Sequence, residues 1–211
     1  MEKGHVWAEW SEDSAKWRND MTGGYILGFE VTLKTYGDLI GKPEERFVIL
    51  GKADIHLTDE SWIPDKGDYT LAEHIHMDYN EETNWNEYTL YEYLEDAITC
   101  SKYGETDGVS GTVAVLHKIE ILPEFRGKDL FSLFLKSIIH SCRRFKTDYV
   151  VLMPHPFGGN VRSQEEKELG ILKLRRFYSQ FGFHDIPLEK GVPYMALPMK
   201  PNHILHAVTA T

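Results

Sequence analysis

The sequence predicts an α/β domain, in the α+β sense, with helices flanking a sheet; three observations carry that prediction. Residues 111–145, GTVAVLHKIEILPEFRGKDLFSLFLKSIIHSCRRF, switch from a repeat of two to a repeat of four within one stretch. Tyr149 to Met153 (YVVLM) is a continuous apolar run between charged residues and Pro154, as a strand buried on both faces requires. Upstream, YILGFEVTLKTY (25–36) and RFVILGKADIHL (46–57) are rich in β-branched and aromatic residues and are joined by the turn formers of GDLIGKPEE, which predicts an antiparallel pair.

In chain order, Trp7, Trp10 and Trp17 stand three and seven apart, a spacing that predicts a short helix packed on the domain. A lid over a ligand or a homodimer contact is the other use for such a segment. From Thr58 to Ser110 the periodicity weakens. Pro64, Gly67 and Asp68 mark a loop, 69–78 reads as a short helix, and 87–103 reads as a longer one with Leu90, Leu94 and Ile98 four apart. This stretch is dense in acid and reads as solvated faces or as a wall attracting a cation. His74, His76 and Asp78 lie here, but residues two apart do not share a helical face, and no second ligand cluster accompanies them. No metal site is expected.

Val113, Val115, Ile119 and Ile121 recur at intervals of two and predict a half-buried strand. Beyond Asp129, a residue suited to capping, Leu130, Phe134, Ile138 and Cys142 fall four apart with Phe131, Leu135 and Ile139 beside them. Strand, helix and buried strand in succession predict a parallel pair. Arg126-Gly127-Lys128 between strand and helix makes a basic loop at a helix N-terminus, where unpaired N–H groups and the helix dipole attract an anion. HPFGGNVRSQEEKELG reads as a loop, 168–181 as a helix ended at Gly182, 192–199 as a last strand, and AVTAT as a tail.

With 211 residues, 42% hydrophobic and 27% charged, the composition is that of one globular domain, 1–211. A formal net charge of −10 argues against a nucleic-acid partner. Cys100 and Cys142 read as reduced thiols. No signal pattern and no membrane-length apolar run is present, so a cytoplasmic protein with no membrane partner is expected.

The series KIEILPEFRGKDLFSLFLKSII, DYVVLM and LRRFYSQFGF resembles the second half of a GNAT-superfamily N-acetyltransferase, and FYSQFGFH (177–184) is similar in spacing to arylalkylamine N-acetyltransferases. The resemblance covers about residues 111–199 and implies a mixed central sheet, flanked by helices, that splays open beside the strand ending at Leu122. It implies an acyl-CoA-binding half over 111–199, beside a divergent half, 1–110, that carries a helical insertion at 58–110. It implies an acetyl-CoA donor whose amide arm pairs with Ile119, Glu120 and Ile121. The pyrophosphate would rest on Arg126, Gly127, Lys128, Asp129, Leu130 and Phe131. Two of these depart from the family pattern: Asp129 and Phe131 occupy positions that are usually small. Tyr178 matches the family's acid, and His117 falls where some members place a base, with Glu120 as the alternative. Strand alternation points His117 and Glu120 to opposite faces. Lys173, Arg175 and Arg176 read as solvating the outer helix face. The acceptor implied is a primary amine of a small molecule or peptide; a catalytically inactive binding or regulatory module is the alternative.

Overall fold

The computed structural model describes residues 6–17, 26–59, 112–155, 163–185 and 194–199. Among these residues seven strands form one sheet: β1 (Val6–Trp17), β2 (Ile26–Tyr36), β3 (Phe47–Asp59), β4 (Thr112–Ile121), β5 (Tyr149–Leu152), β6 (His184–Asp185) and β7 (Met195–Pro198). Their spatial order is β1-β2-β3-β4-β5-β7-β6. Only β4 and β5 run parallel; every other neighbouring pair is antiparallel. Helices α1 (Leu130–Arg144) and α2 (Gln164–Ser179) precede β5 and β6 respectively. The mixed α/β class expected from the sequence is the observed one.

The N-terminal segment overturns its expectation. Residues 6–17 form a long strand rather than a helix, paired with β2 from Val6↔Thr35 to Trp17↔Leu27 across a bulge. A spacing of three that aligns on a helix alternates on a strand, and the two described indoles lie on opposite faces. Trp7 packs on Tyr36 and Phe47, at 5.1 and 5.6 Å between ring centroids. Trp10 meets Phe29 and, beyond the end of α1, Phe145 at 5.1 Å. The antiparallel β2–β3 pair is present as expected, with register from Ile26↔Thr58 to Tyr36↔Phe47.

β3 and β4 pair directly, with Asp59 opposite Thr112. The helices expected at 69–78 and 87–103, the His74–Asp78 cluster and Cys100 lie outside the described residues, as does the 192–193 end of the last strand. The start of β4 is tied to the turn before β5: Asp148 Oδ2 accepts from Thr112 N at 2.9 Å, and Asp148 N donates to Thr112 O at 2.7 Å.

α1 follows its pattern closely. Leu130, Phe134, Leu135, Ile138, Ile139 and Cys142 are buried, and Phe131 is half-buried. They pack with Val31, Leu33, Leu50, Ile55, Leu116, Ile121 and Leu152 into one core that also takes in Tyr178 and Phe183. α2 begins earlier than 168. Ser163 caps it, its Oγ accepting from Glu166 N at 3.1 Å, so Ser163-Gln164-Glu165-Glu166 is a capping pattern inside what the sequence reading took as loop. After Ser179 the chain turns through Gly182 at φ +91°, a conformation that glycine adopts without strain.

Candidate functional site

The site arises where β4 loses a neighbour. Its pairing with β5 runs only from Val113↔Tyr149 to Leu116↔Leu152, because β5 ends at Leu152 while β4 continues to Ile121. β3 holds the other edge throughout, with Asp54↔Lys118 and Gly51↔Ile121. One edge of residues 117–121 therefore faces away from any strand partner among the described residues. A cleft of about 870 Å³ runs along it. Its walls are Lys118, Ile119, Glu120 and Ile121 from β4, Phe125 to Gly127 and Asp129 from the loop, Leu130 to Ser132 from the start of α1, His155 after β5, and Gly170, Lys173, Leu174, Phe177 and Tyr178 from α2. The α2 residues fall at i, i+3, i+4, i+7 and i+8, so the cleft takes a single face of that helix.

The loop is shaped by its backbone. Pro123–Phe125 form a 3-10 turn with Phe125 N donating to Leu122 O at 2.9 Å. Arg126 folds back, its Nε donating to Ile121 O at 3.1 Å, which covers the last carbonyl of β4. Gly127 has φ +80°, and a Cβ there would meet nothing within 4 Å, so conformation rather than crowding calls for glycine. Asp129 takes the left-handed conformation too, at φ 54° and ψ 13°. It stands at the N-cap position, but its carboxylate makes no cap hydrogen bond; its backbone carbonyl accepts from Leu133 N at 3.2 Å instead. The capping role expected for the Asp129 side chain is thus not realised, because a left-handed N-cap turns the side chain away from the first-turn amides. Those amides, on Leu130, Phe131 and Ser132, stand at the cleft with the positive end of the helix dipole behind them.

Charge and aromatic groups divide the cleft. Lys118 Nζ lies 2.9 Å from Glu120 Oε1, and this hydrogen bond raises the lysine above its ordinary value. Lys173 lines the cleft rather than only solvating the helix, whereas Arg175 turns away to pair with Asp185 at 2.5 Å. Phe131 fills its side of the cleft by packing edge-on against Phe177 at 5.4 Å. Tyr178 is 6% exposed, and burial pushes its phenol up to about 12, so it is a neutral hydrogen-bond donor at any physiological pH.

Of the residues singled out from sequence, Ile119, Glu120, Ile121, Arg126, Gly127, Asp129, Leu130, Phe131 and Tyr178 meet at this cleft. Lys128 does not line it; its ammonium lies 5.9 Å from the Phe125 ring centroid. Nor does His117, whose ring packs against His56 with centroids 4.1 Å apart. Alternation also fails at this point of β4. Asp54 pairs with Lys118 and Ile55 with Leu116, which leaves His117 as the extra residue of a bulge. His56, Asp54 and Lys52 share a face with their partners Val115, Lys118 and Glu120, and the His56 contact puts His117 on that face. His117 and Glu120 therefore lie on the same side of the strand. His155 was missed by the sequence reading. The signal available was its place just past the carboxyl end of a parallel strand, where open sheets bind ligands. Among the described residues no group of three or more His, Cys, Asp or Glu side chains is placed to hold a metal, and no helix is long and apolar enough to cross a membrane.

No family model matches the chain, and no curated protein does. Solved structures do. Arylalkylamine N-acetyltransferase 2 from Aedes aegypti is similar at a TM-score of 0.43 and 11% identity, over 81% of this chain and 73% of that one. AtaTR bound with AcCoA gives 0.42 and 7%, over 93% and 95%, and the KacTA–DNA complex gives 0.42 and 8%, over 92% and 93%. At these values the likeness is one of general chain course, and the reading of the site rests on its own geometry.

Proposed function

We propose that the chain is an N-acyltransferase that moves an acetyl group from acetyl-CoA to a primary amine by direct attack in a ternary complex. The observation that supports this best is the edge of β4 that meets no strand among the described residues and leads into a helix N-terminus without a side-chain cap. An extended amide arm can add to such an edge, and phosphates suit the helix start. The cleft fits a ligand of that kind in chemistry: an apolar floor from Ile119, Ile121 and Phe125, cations at Arg126 and Lys173, and about 870 Å³ of space.

In this reading Ile119, Glu120 and Ile121 hold the arm through their backbone, and strand amides beside them stabilise charge on the carbonyl oxygen. The loop from Arg126 to Phe131 takes the pyrophosphate. Tyr178 serves the departing sulfur. An ordinary thiol titrates near 8.5, well below a phenol at about 12, so Tyr178 acts mainly by hydrogen bonding to the thiolate as it forms. The base is His117 or Glu120. The acceptor is an amine on a small molecule or a peptide, and a net charge of −10 favours a cationic one and disfavours a nucleic-acid partner. A homodimer and a single-domain organisation with an insertion at 58–110 belong to the same proposal.

Calorimetric titration with acetyl-CoA tests it: saturable binding is expected, with transfer to at least one amine lowered on the order of 100-fold by Tyr178→Phe. Absence of binding at millimolar acetyl-CoA overturns it. A second reading, a binding or regulatory module without catalysis, is motivated by an acidic residue, Asp129, among those lining the cleft. It expects acetyl-CoA to bind only after Asp129 and Phe131 are replaced by glycine.

A further inference from the structure

We infer that His56 and His117 work as one imidazole pair at the acceptor end of the open strand, His117 as the base and His56 as the residue that positions it; this rests on the acetyl-transfer reading. His56 is buried, at 9% exposure, whereas His117 is exposed, and their rings lie 4.1 Å apart at a 55° tilt. The bulge falls at His117 itself, one residue before Lys118, where the cleft begins. Bulges re-aim a side chain, and here the result is an exposed imidazole backed by a buried one.

Position along the strand assigns the pair to the acceptor end. With phosphates at the loop after Ile121, His117 stands about 13 Å back along β4, at about 3.3 Å per residue. The reacting end of a cofactor arm laid on this edge points toward it. Charged groups sharing that face are Asp54 and Lys52 from β3 and Lys118 and Glu120 from β4, with Lys118 tied to Glu120 and Lys52 3.7 Å from Glu30. Asp54 and Glu120 favour approach of an ammonium.

The step balances as follows. Neutral His117 takes one proton from the acceptor ammonium. The amine lone pair attacks the thioester carbonyl carbon; the C–N bond forms and the C–S bond breaks, its electron pair leaving with sulfur. The remaining surplus proton on nitrogen passes to the departing thiolate, which the Tyr178 hydroxyl stabilises by donating a hydrogen bond to it. A solvent-facing imidazole has several rotamers, and the His56 ring behind it limits them.

The test uses the full chain, acetyl-CoA, and a panel of an arylalkylamine, a polyamine and a lysine-containing peptide, with thiol release as readout. His117→Ala is expected to lower kcat about 100-fold, and His56→Leu about 10-fold, with acetyl-CoA Kd unchanged in both. His56→Phe, which keeps a ring behind His117, should stay within about twofold of the parent. The acid limb of the kcat/KM pH profile should persist in His56→Phe and vanish in His117→Ala. Parent-like kcat in both His117→Ala and His56→Leu, with binding and transfer intact, overturns the pair and leaves the transfer reading standing. Failure to bind acetyl-CoA, or binding without transfer to any amine, overturns both. Should His56→Leu not fold, the exposed His117→Ala decides through its kcat and its acid limb.

Discussion

The two halves of β4 differ in what each edge meets. From Thr112 to Leu116 the strand is hydrogen-bonded to β3 on one side and β5 on the other, and Val113, Ala114, Val115 and Leu116 are all buried. From His117 to Ile121 β3 is the one strand partner among the described residues, and buried Ile119 and Ile121 alternate with half-buried Lys118 and Glu120. The first half holds the sheet together. The second has the same covalent backbone with one edge that meets no strand among the described residues. An open edge is made here by a neighbour, β5, of only four residues rather than by a special motif in β4.

The largest effect expected comes from alkali, which acts on both halves. Burial pushes Cys142 from 9.0, and Tyr149 and Tyr178 from 10.0, each to about 12. Tyr149 lies opposite Val113 in the doubly paired half, and Tyr178 lines the cleft beside the open half. The fold binds these protons more tightly than the unfolded chain. Their contribution is complete below about pH 9, then falls through the folded values as pH approaches 12. At about 1.4 kcal/mol per unit the three together amount to several kcal/mol. Urea unfolding at a series of pH values checks this, with Tyr178→Phe removing the share of the open half. A flat profile up to pH 11 would contradict the burial.

Leu152→Ala separates the halves. Leu152 is 2% exposed, pairs with Leu116 and belongs to the main core, so its truncation should cost about 2–5 kcal/mol. The loss falls in the doubly paired half. Denaturant titration should show the cost, while the molecules that remain folded bind acetyl-CoA as before. A fall in affinity alongside stability would mean that the two halves are one mechanical unit.

Gly51→Ala does the reverse. Gly51 sits opposite Ile121, and a Cβ there would lie 2.6 Å from Glu120 O and 2.8 Å from Ile121 Cδ1. Backbone cannot swing aside as a side chain can, so the open half must shift. The expected cost is about 1–3 kcal/mol, accompanied by weaker acetyl-CoA binding. Unchanged affinity with lowered stability would count against the open edge as the cofactor site.

How much of this was legible in the sequence depends on how local the determining contacts are. The unit from β4 through α1 to β5 could be read because its period changes from two to four within the chain itself. β1 could not. What makes it a strand is pairing with β2, and what places Trp7 and Trp10 is Tyr36 and Phe145, far away in sequence. The start of α2 was legible, since Ser163 and Glu166 carry the capping spacing, but the glycines before them drew the reading toward loop. His117 was placed by alternation, which a bulge cancels, and a bulge depends on the register of the partner strand. His155 and Gly170 enter the site only through the splay, which depends on where β5 stops.

Asp129→Gly has the smallest expected effect on stability and the most information about the open half. Glycine removes the cost of a non-glycine residue at φ 54°, about 1 kcal/mol. It also removes an anion favourable to the helix N-terminus, about 0.3–1 kcal/mol, so the two nearly cancel. Stability should change by no more than about 0.5 kcal/mol. Affinity for an anion should not be neutral, because Asp129 lines the cleft and its carboxylate makes no cap hydrogen bond. Acetyl-CoA should bind about 3- to 10-fold more tightly in the variant, the gain shrinking as salt screens the lost repulsion. The parent's own binding decides between the readings. Saturation in the parent, improved by the change, fits an enzyme that tolerates the aspartate. Binding that appears only after the change would make Asp129 the residue that closes this edge to phosphate, and the protein a module that has kept the cleft without the transfer.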